Sequence, residues 1–175
     1  QINGDIKTSM KIPELFKIGH TVFSFEVFPP KKDADVSVIY DTLDQLGDLH
    51  PDFISVTYGA GGSNSKNTLS IAEEVQKSGV TALAHLTCVG QDEENLRASI
   101  NAFKASGIEN ILALRGDIPE GDTAPQTFPH ASDLINAIRR EGADFCIGGA
   151  CYPEGHVEAA NKTEDILHLK EKVEA

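Results

Sequence analysis

The chain has 175 residues, 40% of them hydrophobic and 24% charged, a composition ordinary for one globular unit. Fifteen Lys and Arg against 27 Asp and Glu give a formal charge of −12. That balance argues against nucleic acid or an anionic membrane as a main partner, since both are held by basic patches, but it leaves room for a small anionic ligand bound by local cations and backbone amides.

No apolar run is long enough to span a bilayer and the first residues do not read as a signal peptide, so a cytoplasmic protein is expected. Cys88, Cys146 and Cys151 lie in apolar, strand-like contexts without a CxxC pair, which predicts buried free thiols in a reducing compartment. Residues 1–11 read as an arm or an expression remnant, and residues 12–175 as the folded domain.

Ile12 to Ile18 predicts a short amphipathic helix. It leads into Val22-Phe23-Ser24-Phe25-Glu26-Val27-Phe28, a strand stopped by Pro29-Pro30, which cannot donate to a ladder. A strand so rich in Phe and Val is expected to be covered on both faces, with Glu26 near its carboxyl end and facing an interior. A carboxyl so buried is costly unless paired or protonated, and burial of this kind makes a Glu into a general acid near neutral pH. The alternative is a Glu at a strand end paired with a nearby Lys or Arg.

After a polar loop, apolar residues from Val36 to Leu49 recur at helical spacing until Pro51. Phe53 to Tyr58 is the second strand, followed by the turn Gly59-Ala60-Gly61-Gly62-Ser63 and a helix to about Lys77, capped by Ser63 or Asn64. Thr81 to Val89 is the third strand, Asp92 to Ser106 a helix stopped by Gly107, and Asn110 to Arg115 the fourth strand. A long Pro- and Gly-bearing loop over 118–129 precedes a helix from Ala131 to Arg140. Asp144 to Tyr152 is the fifth strand, and Thr163 to Glu174 the last helix.

This regular alternation means parallel strands joined by crossover helices. Length favours a flavodoxin-like open sheet over a (β/α)8 barrel, which needs about 250 residues. In either fold, ligands bind at the carboxyl ends of the strands. Glu26, Thr57, His85 with Thr87, Arg115 with Asp117, and Tyr152 with His156 stand at those ends in succession. Each has a structural alternative, but their common register predicts a site. Leu114-Arg115-Gly116-Asp117 is the most informative motif: Gly116 allows close backbone approach, Arg115 offers a fork for phosphate or carboxylate, and Asp117 can accept from ligand N–H groups. The Gly59–Gly62 turn lacks the spacing of a dinucleotide fingerprint and a P-loop Lys. No Ser–His–Asp order and no metal-ligand spacing of histidines is legible.

Six blocks, taken in order, resemble the methylenetetrahydrofolate reductase family. They are Phe23–Pro30, Ser55–Gly62, Ala84-His85-Leu86-Thr87-Cys88, Ala113–Asp117, Ala131-Ser132-Asp133-Leu134 and Tyr152-Pro153-Glu154-Gly155-His156. The resemblance covers residues 12 to 175 and implies a TIM (β/α)8 barrel, of which this chain carries the first five βα units, against the length argument. It also implies FAD bound at the carboxyl ends of the strands and NADH or NADPH as electron donor. The implied reaction converts 5,10-methylenetetrahydrofolate to 5-methyltetrahydrofolate, within one-carbon metabolism and methionine biosynthesis.

By matching motif, Glu26 would be the acid that protonates a folate nitrogen, and Asp117 would lie near the flavin and the pterin. Thr57, His85, Leu114, Arg115, Gly116, Asp117, Ala131, Tyr152, His156, Asp165 and Lys172 match FAD-contacting positions, with Arg115 and Lys172 towards the diphosphate and ribose. His130 departs from the family's usual Tyr and is left out. Exposed strand edges predict a homo-oligomer. The alternative is an inactive fragment, or an FAD-binding subunit that needs a partner to complete its site.

Overall fold

A computed structural model describes residues 10–30, 37–58, 65–118, 121, 126–142 and 144–175. In chain order the elements are α1 (Ile12–Leu15), β1 (Ser24–Val27), α2 (Ser37–Gly47), β2 (Phe53–Val56), α3 (Ser65–Lys77) and β3 (Thr81–Thr87). They continue with α4 (Glu93–Ala105), β4 (Asn110–Leu114), α5 (Ala131–Arg140), β5 (Cys146–Gly149) and α6 (Lys162–Glu174). Every strand and helix read from the sequence is present, most a few residues shorter at their ends. The Gly59–Ser63 turn, the Ser63 or Asn64 cap and much of the 118–129 loop lie outside the described residues.

All five strands are parallel, and each pairs with its neighbours in sequence, in the order β1-β2-β3-β4-β5. A doubly wound sheet reverses direction part-way across, so that helices cover both faces. Here no reversal occurs. With right-handed crossovers, the helices that connect successive strands then fall on the same side of the sheet. The flavodoxin-like alternative is thereby corrected: a parallel, singly wound sheet is what the chain forms.

Parallel register sorts the strand residues into two faces. Val27, Ile54, Val56, Ala82, Ala84, Leu86, Ile111 and Ala113 form one face and are buried, packed in a single core with Leu43, Ile71, Val75, Leu96, Ile100, Leu134 and Ile138 of the helices. The opposite face carries Ser24, Glu26, Ser55, Leu83, His85, Asn110, Leu112 and Cys146, joined by the pairs Glu26↔Ser55, His85↔Leu112 and Asn110↔Cys146. Among the described residues no helix covers the upper part of this second face, and Leu83, Leu112 and Leu114 are only half-buried there.

The lower end of that face is closed by α1. Asn110, fully buried, accepts from Ile12 N through Oδ1 at 2.9 Å and donates from Nδ2 to Met10 O at 3.0 Å and Ala82 O at 3.4 Å. Leu15 is buried beside it, and Lys11 pairs with Asp144 at 2.7 Å. Asp92, read as the first residue of this helix, is its cap, the carboxylate accepting from Asn95 N at 2.7 Å.

Three expectations are not met among the described residues. β1 is an edge strand and is not covered on both sides: Phe23 and Phe28 are exposed. Among the described residues the side chain of Glu26 is 48% exposed, on the face opposite the helices. Nor are all three thiols buried, since only Cys88 is, while Cys146 is half-buried and Cys151 exposed.

Candidate functional site

Parallel strands present their carboxyl ends at one rim, and each candidate residue reaches that rim on its own element. Glu26 lies on β1, Thr57 follows β2, His85 and Thr87 end β3, Leu114 to Asp117 leave β4, and Tyr152 and His156 follow β5. Ala131 opens α5, and Asp165 and Lys172 lie on α6.

The first group spans three strands. Glu26 on β1, Ser55 on β2 and His85 on β3 face the same side, and their side chains meet. Ser55 Oγ lies 2.6 Å from His85 Nε2 and donates to Glu26 Oε2 at 3.3 Å, while Nε2 and Oε2 are 3.5 Å apart. Ser55 and His85 are buried, each 6% exposed. Burial holds the imidazole below its ordinary value of 6.5, outweighing the opposing pull of the Glu26 charge. His85 is therefore neutral at pH 7. Among the described residues no protein group bonds to Glu26 Oε1.

Ser55 was missed as a site residue. Its only sequence signal is that it shares a face with Thr57, two positions on, and its contact with Glu26 needs a register that no local pattern encodes.

The β4 exit is built around Gly116, whose φ of +82° is the left-handed region that glycine adopts freely. A Cβ there would stand 3.0 Å from Thr87 Cβ, so β4 and β3 approach as closely as backbone allows. The ladder runs on past the strands, with Cys88 N donating to Leu114 O at 2.9 Å and Val89 N to Arg115 O at 3.1 Å. Thr57 extends β2 in the same way, donating to Val27 O at 3.0 Å and accepting from Thr68 Oγ1 at 3.0 Å.

Arg115 turns its fork on Glu158, with Nη1 at 2.5 Å from Oε2 and Nη2 at 3.0 Å from Oε1. This bidentate bond holds the guanidinium above its usual range and the carboxyl of Glu158 below its own. Asp117 is exposed, and its charge adds a smaller pull on Arg115. Cys88 Sγ donates to His130 O at 3.3 Å, which sets the start of α5 and buried Ala131 beside the β3 exit. His130 itself is the N-cap of α5, its N–H held by Asp133 at 2.9 Å.

The second group surrounds a cleft of about 230 Å³ between the β5 exit and α6, lined among others by Tyr152, His156, Asp165 and Lys172. The rings of Tyr152 and His156 meet edge to face at 5.1 Å. Asp165 Oδ2 accepts from His156 N at 3.1 Å, fixing the loop to the helix. Lys172 Nζ donates to Ala150 O at 2.8 Å, its stem crossing Gly149, where a Cβ would lie 3.0 Å from Lys172 Cδ. α6 buries no residue, and Ile166, Leu167 and Val173 are exposed.

Of the residues predicted from sequence, Glu26 with His85, and Tyr152, His156, Asp165 and Lys172, are thus gathered in two clusters. Thr57, Leu114, Arg115 and Gly116 line the rim between. Asp117 and Ala131 lie at that rim, and among the described residues neither side chain bonds to either cluster. Among the described residues no helix is long and apolar enough to cross a membrane.

Comparison with known proteins follows the same boundaries. A family model described as "Methylenetetrahydrofolate reductase" matches residues 11–175. The chain is 40% identical over 158 residues to a 5,10-methylenetetrahydrofolate reductase of Escherichia coli (strain K12), covering 90% of this chain and 52% of that protein. It is 39% identical over 185 residues to a probable methylenetetrahydrofolate reductase (NADH) of Oryza sativa subsp. japonica, covering 97% of this chain and 31% of that protein. The chain thus spans about half the length of the bacterial relative, or less than that of the plant one. Among solved structures, a rubisco-like protein from Burkholderia fungorum superposes with a TM-score of 0.58 at 13% identity, over 91% of this chain and 39% of that one. That likeness concerns the fold alone.

Proposed function

The chain belongs to the methylenetetrahydrofolate reductase family, and from that premise we propose that it carries the first five βα units of a (β/α)8 barrel that reduces 5,10-methylenetetrahydrofolate to 5-methyltetrahydrofolate. The observation that carries this reading is the Glu26 carboxyl: it stands on the open face with Oε2 accepting from Ser55 beside His85 and, among the described residues, with no protein group bonded to Oε1. A group in that position can give a proton to a folate nitrogen, which opens the five-membered ring to an iminium ready to accept a hydride. The geometry asks nothing more of Glu26 than a held oxygen and a free one.

The rim fits FAD in its donor set. Half-buried Thr57, Thr87 and Leu114 form a shelf for a planar ring, and Gly116 keeps backbone within reach of it. Arg115 and Lys172 are the cations for the diphosphate and ribose, and Tyr152, His156 and Asp165 the wall beside them. Both cations are already engaged, Arg115 by Glu158 and Lys172 by Ala150 O, so a phosphate group would exchange with those partners. FAD held by these residues would supply hydride-carrier chemistry between NADH or NADPH and the folate. Asp117 beside the ring would tune its electron affinity by charge.

A second reading rests on α6, which buries no residue, and on the free edge of β5: this chain alone would hold FAD weakly and need more chain or a second subunit to complete its site. The visible spectrum of the protein after FAD addition and removal of excess separates the two. A retained flavin spectrum supports a site formed by these units alone. A colourless protein that gains flavin only when the missing length is restored supports the second reading. Glu26→Gln is then expected to abolish folate reduction and spare flavin reduction by the nicotinamide; equal loss of both steps refutes the role given to Glu26.

A further inference from the structure

The strands bring a third residue to Glu26, and its hydrogen-bonding arithmetic is constrained. A serine hydroxyl has one proton, and Ser55 Oγ has two neighbours, Glu26 Oε2 at 3.3 Å and His85 Nε2 at 2.6 Å. Only one of them receives that proton. A carboxylate offers acceptors only, so it takes the proton from Ser55 or gets none. A neutral imidazole can do either: it accepts at Nε2 if its proton sits on Nδ1, and donates from Nε2 otherwise. If Ser55 gives its proton to Glu26, His85 must carry its own on Nε2 and give it to Ser55 Oγ. Ser55 Oγ, Glu26 Oε2 and His85 Nε2 are then all matched, donor to acceptor. In the opposite arrangement Nε2 and Oε2, at 3.5 Å, are two acceptors facing each other, an unfavourable contact at the edge of a buried site.

We infer that Ser55 is a positioning residue for Glu26, donating its hydroxyl proton to Oε2 while His85 donates from Nε2 to Ser55 Oγ. This deepens the reading of Glu26 as the proton donor and rests on it. The directed chain pins one carboxyl oxygen from the sheet side and leaves Oε1 to carry the proton towards the ligand. The two buried residues hold their places through the strands: Ser55 pairs with Glu26 in register, and His85 sits two residues beyond Leu83, the partner of Ser55 on β3. The exposed member is the carboxyl, and an unpinned carboxyl on an edge strand would sample other rotamers at the moment the proton is needed.

The direction of the chain can be read by NMR. In protein labelled with ¹⁵N-histidine, with His85 assigned by the signals lost in His85→Gln, the His85 ring is expected as the Nε2–H tautomer at neutral pH. In Ser55→Ala the folate-reducing half-reaction should fall about tenfold more than the nicotinamide-driven one, without a matching rise in KM for folate. Ser55→Thr, which keeps the hydroxyl, should recover most of that loss. An Nδ1–H tautomer in the unsubstituted protein overturns the inference, because Ser55 would then be donating to His85 and nothing would point at Glu26. So does a Ser55→Ala variant that reduces folate as fast as the unsubstituted protein, which would leave Ser55 a packing residue. If Ser55→Ala does not fold, Ser55→Thr and the tautomer still decide. A protein that reduces no folate even when lengthened to the full span of its relatives sinks the reaction proposed above, whereas the tautomer measurement reports on the hydrogen-bond chain regardless.

Discussion

Replacing Asn110 by Ala tests whether one buried amide docks the amino-terminal helix. The substitution removes two well-formed hydrogen bonds, 2.9 Å to Ile12 N and 3.0 Å to Met10 O, and a longer one of 3.4 Å to Ala82 O. Net values of about 0.5–1.5 kcal/mol per bond put the direct loss near 2 kcal/mol. The vacated amide volume and the orphaned groups at Ile12 and Met10 raise it towards about 3–4 kcal/mol. The loss has a ceiling. Once it exceeds what α1 gains by docking, chiefly the burial of Leu15, the helix detaches and its backbone is hydrated, which caps the further cost at about 2–3 kcal/mol for that side chain.

Urea unfolding gives the total, and hydrogen exchange over residues 10–18 gives the local part. The expected result is a fall of about 2–4 kcal/mol together with loss of protection at Ile12 and Leu15. A loss below about 0.5 kcal/mol with protection unchanged would refute the reasoning, since α1 would then be held by Leu15 and the Lys11–Asp144 pair alone.

Other consequences are quicker to check. Because the folded protein holds the His85 imidazole below its ordinary 6.5, the unfolded chain binds the extra proton, so this group favours folding fully above 6.5 and less as pH falls through 6.5 towards the folded value. Stability measured from pH 7.5 to 5 should therefore decline less steeply in His85→Gln than in the unsubstituted protein; parallel curves would show that His85 does not titrate on unfolding. Thiol labelling should distinguish the cysteines: exposed Cys151 reacts in the native protein, whereas Cys88, fully buried and pushed up to about 12 mainly by burial, reacts only after denaturation. Gly116→Ala should cost about 1–2 kcal/mol for the left-handed backbone alone, and more from the 3.0 Å approach to Thr87 Cβ. Thr87→Ser, which deletes the Thr87 methyl but keeps Cβ, should relieve little of it if the backbone dominates.

Much of this molecule can be read from local pattern. The helix start at Asp92, its stop at Gly107 and the Pro29-Pro30 end of β1 are decided by residues within a turn of where they act, which is why they could be placed without coordinates. Gly116 could be singled out for the same reason. What could not be read is set by pairs far apart in sequence. Ser55 looks like any small polar residue on a strand until register lays it against Glu26, 29 positions earlier. Arg115 looks like a free fork until Glu158, 43 positions on, is found in it. The expectation that Glu26 is buried failed because composition reports how apolar a strand is and not whether a neighbour covers it. β1 has β2 on one side and, among the described residues, no strand on the other. Its phenylalanines are as apolar as read, but they lie at an edge.

The sequential strand order also sets a timetable for assembly. Paired strands are only about one βα unit apart: Phe53 meets Ser24, Thr81 meets Phe53, Asn110 meets Leu83 and Cys146 meets Asn110. Each strand emerging from a ribosome thus finds its partner already made and needs only a short loop closure, the condition under which parallel sheets form without long searches. The exception is α1, whose anchor lies 98 residues downstream of Ile12. The described bonds that dock α1 cannot form until β4 has arrived. Its contacts with Asn110 should therefore form after the strand pairs, so that weakening them speeds unfolding and leaves the folding rate nearly untouched.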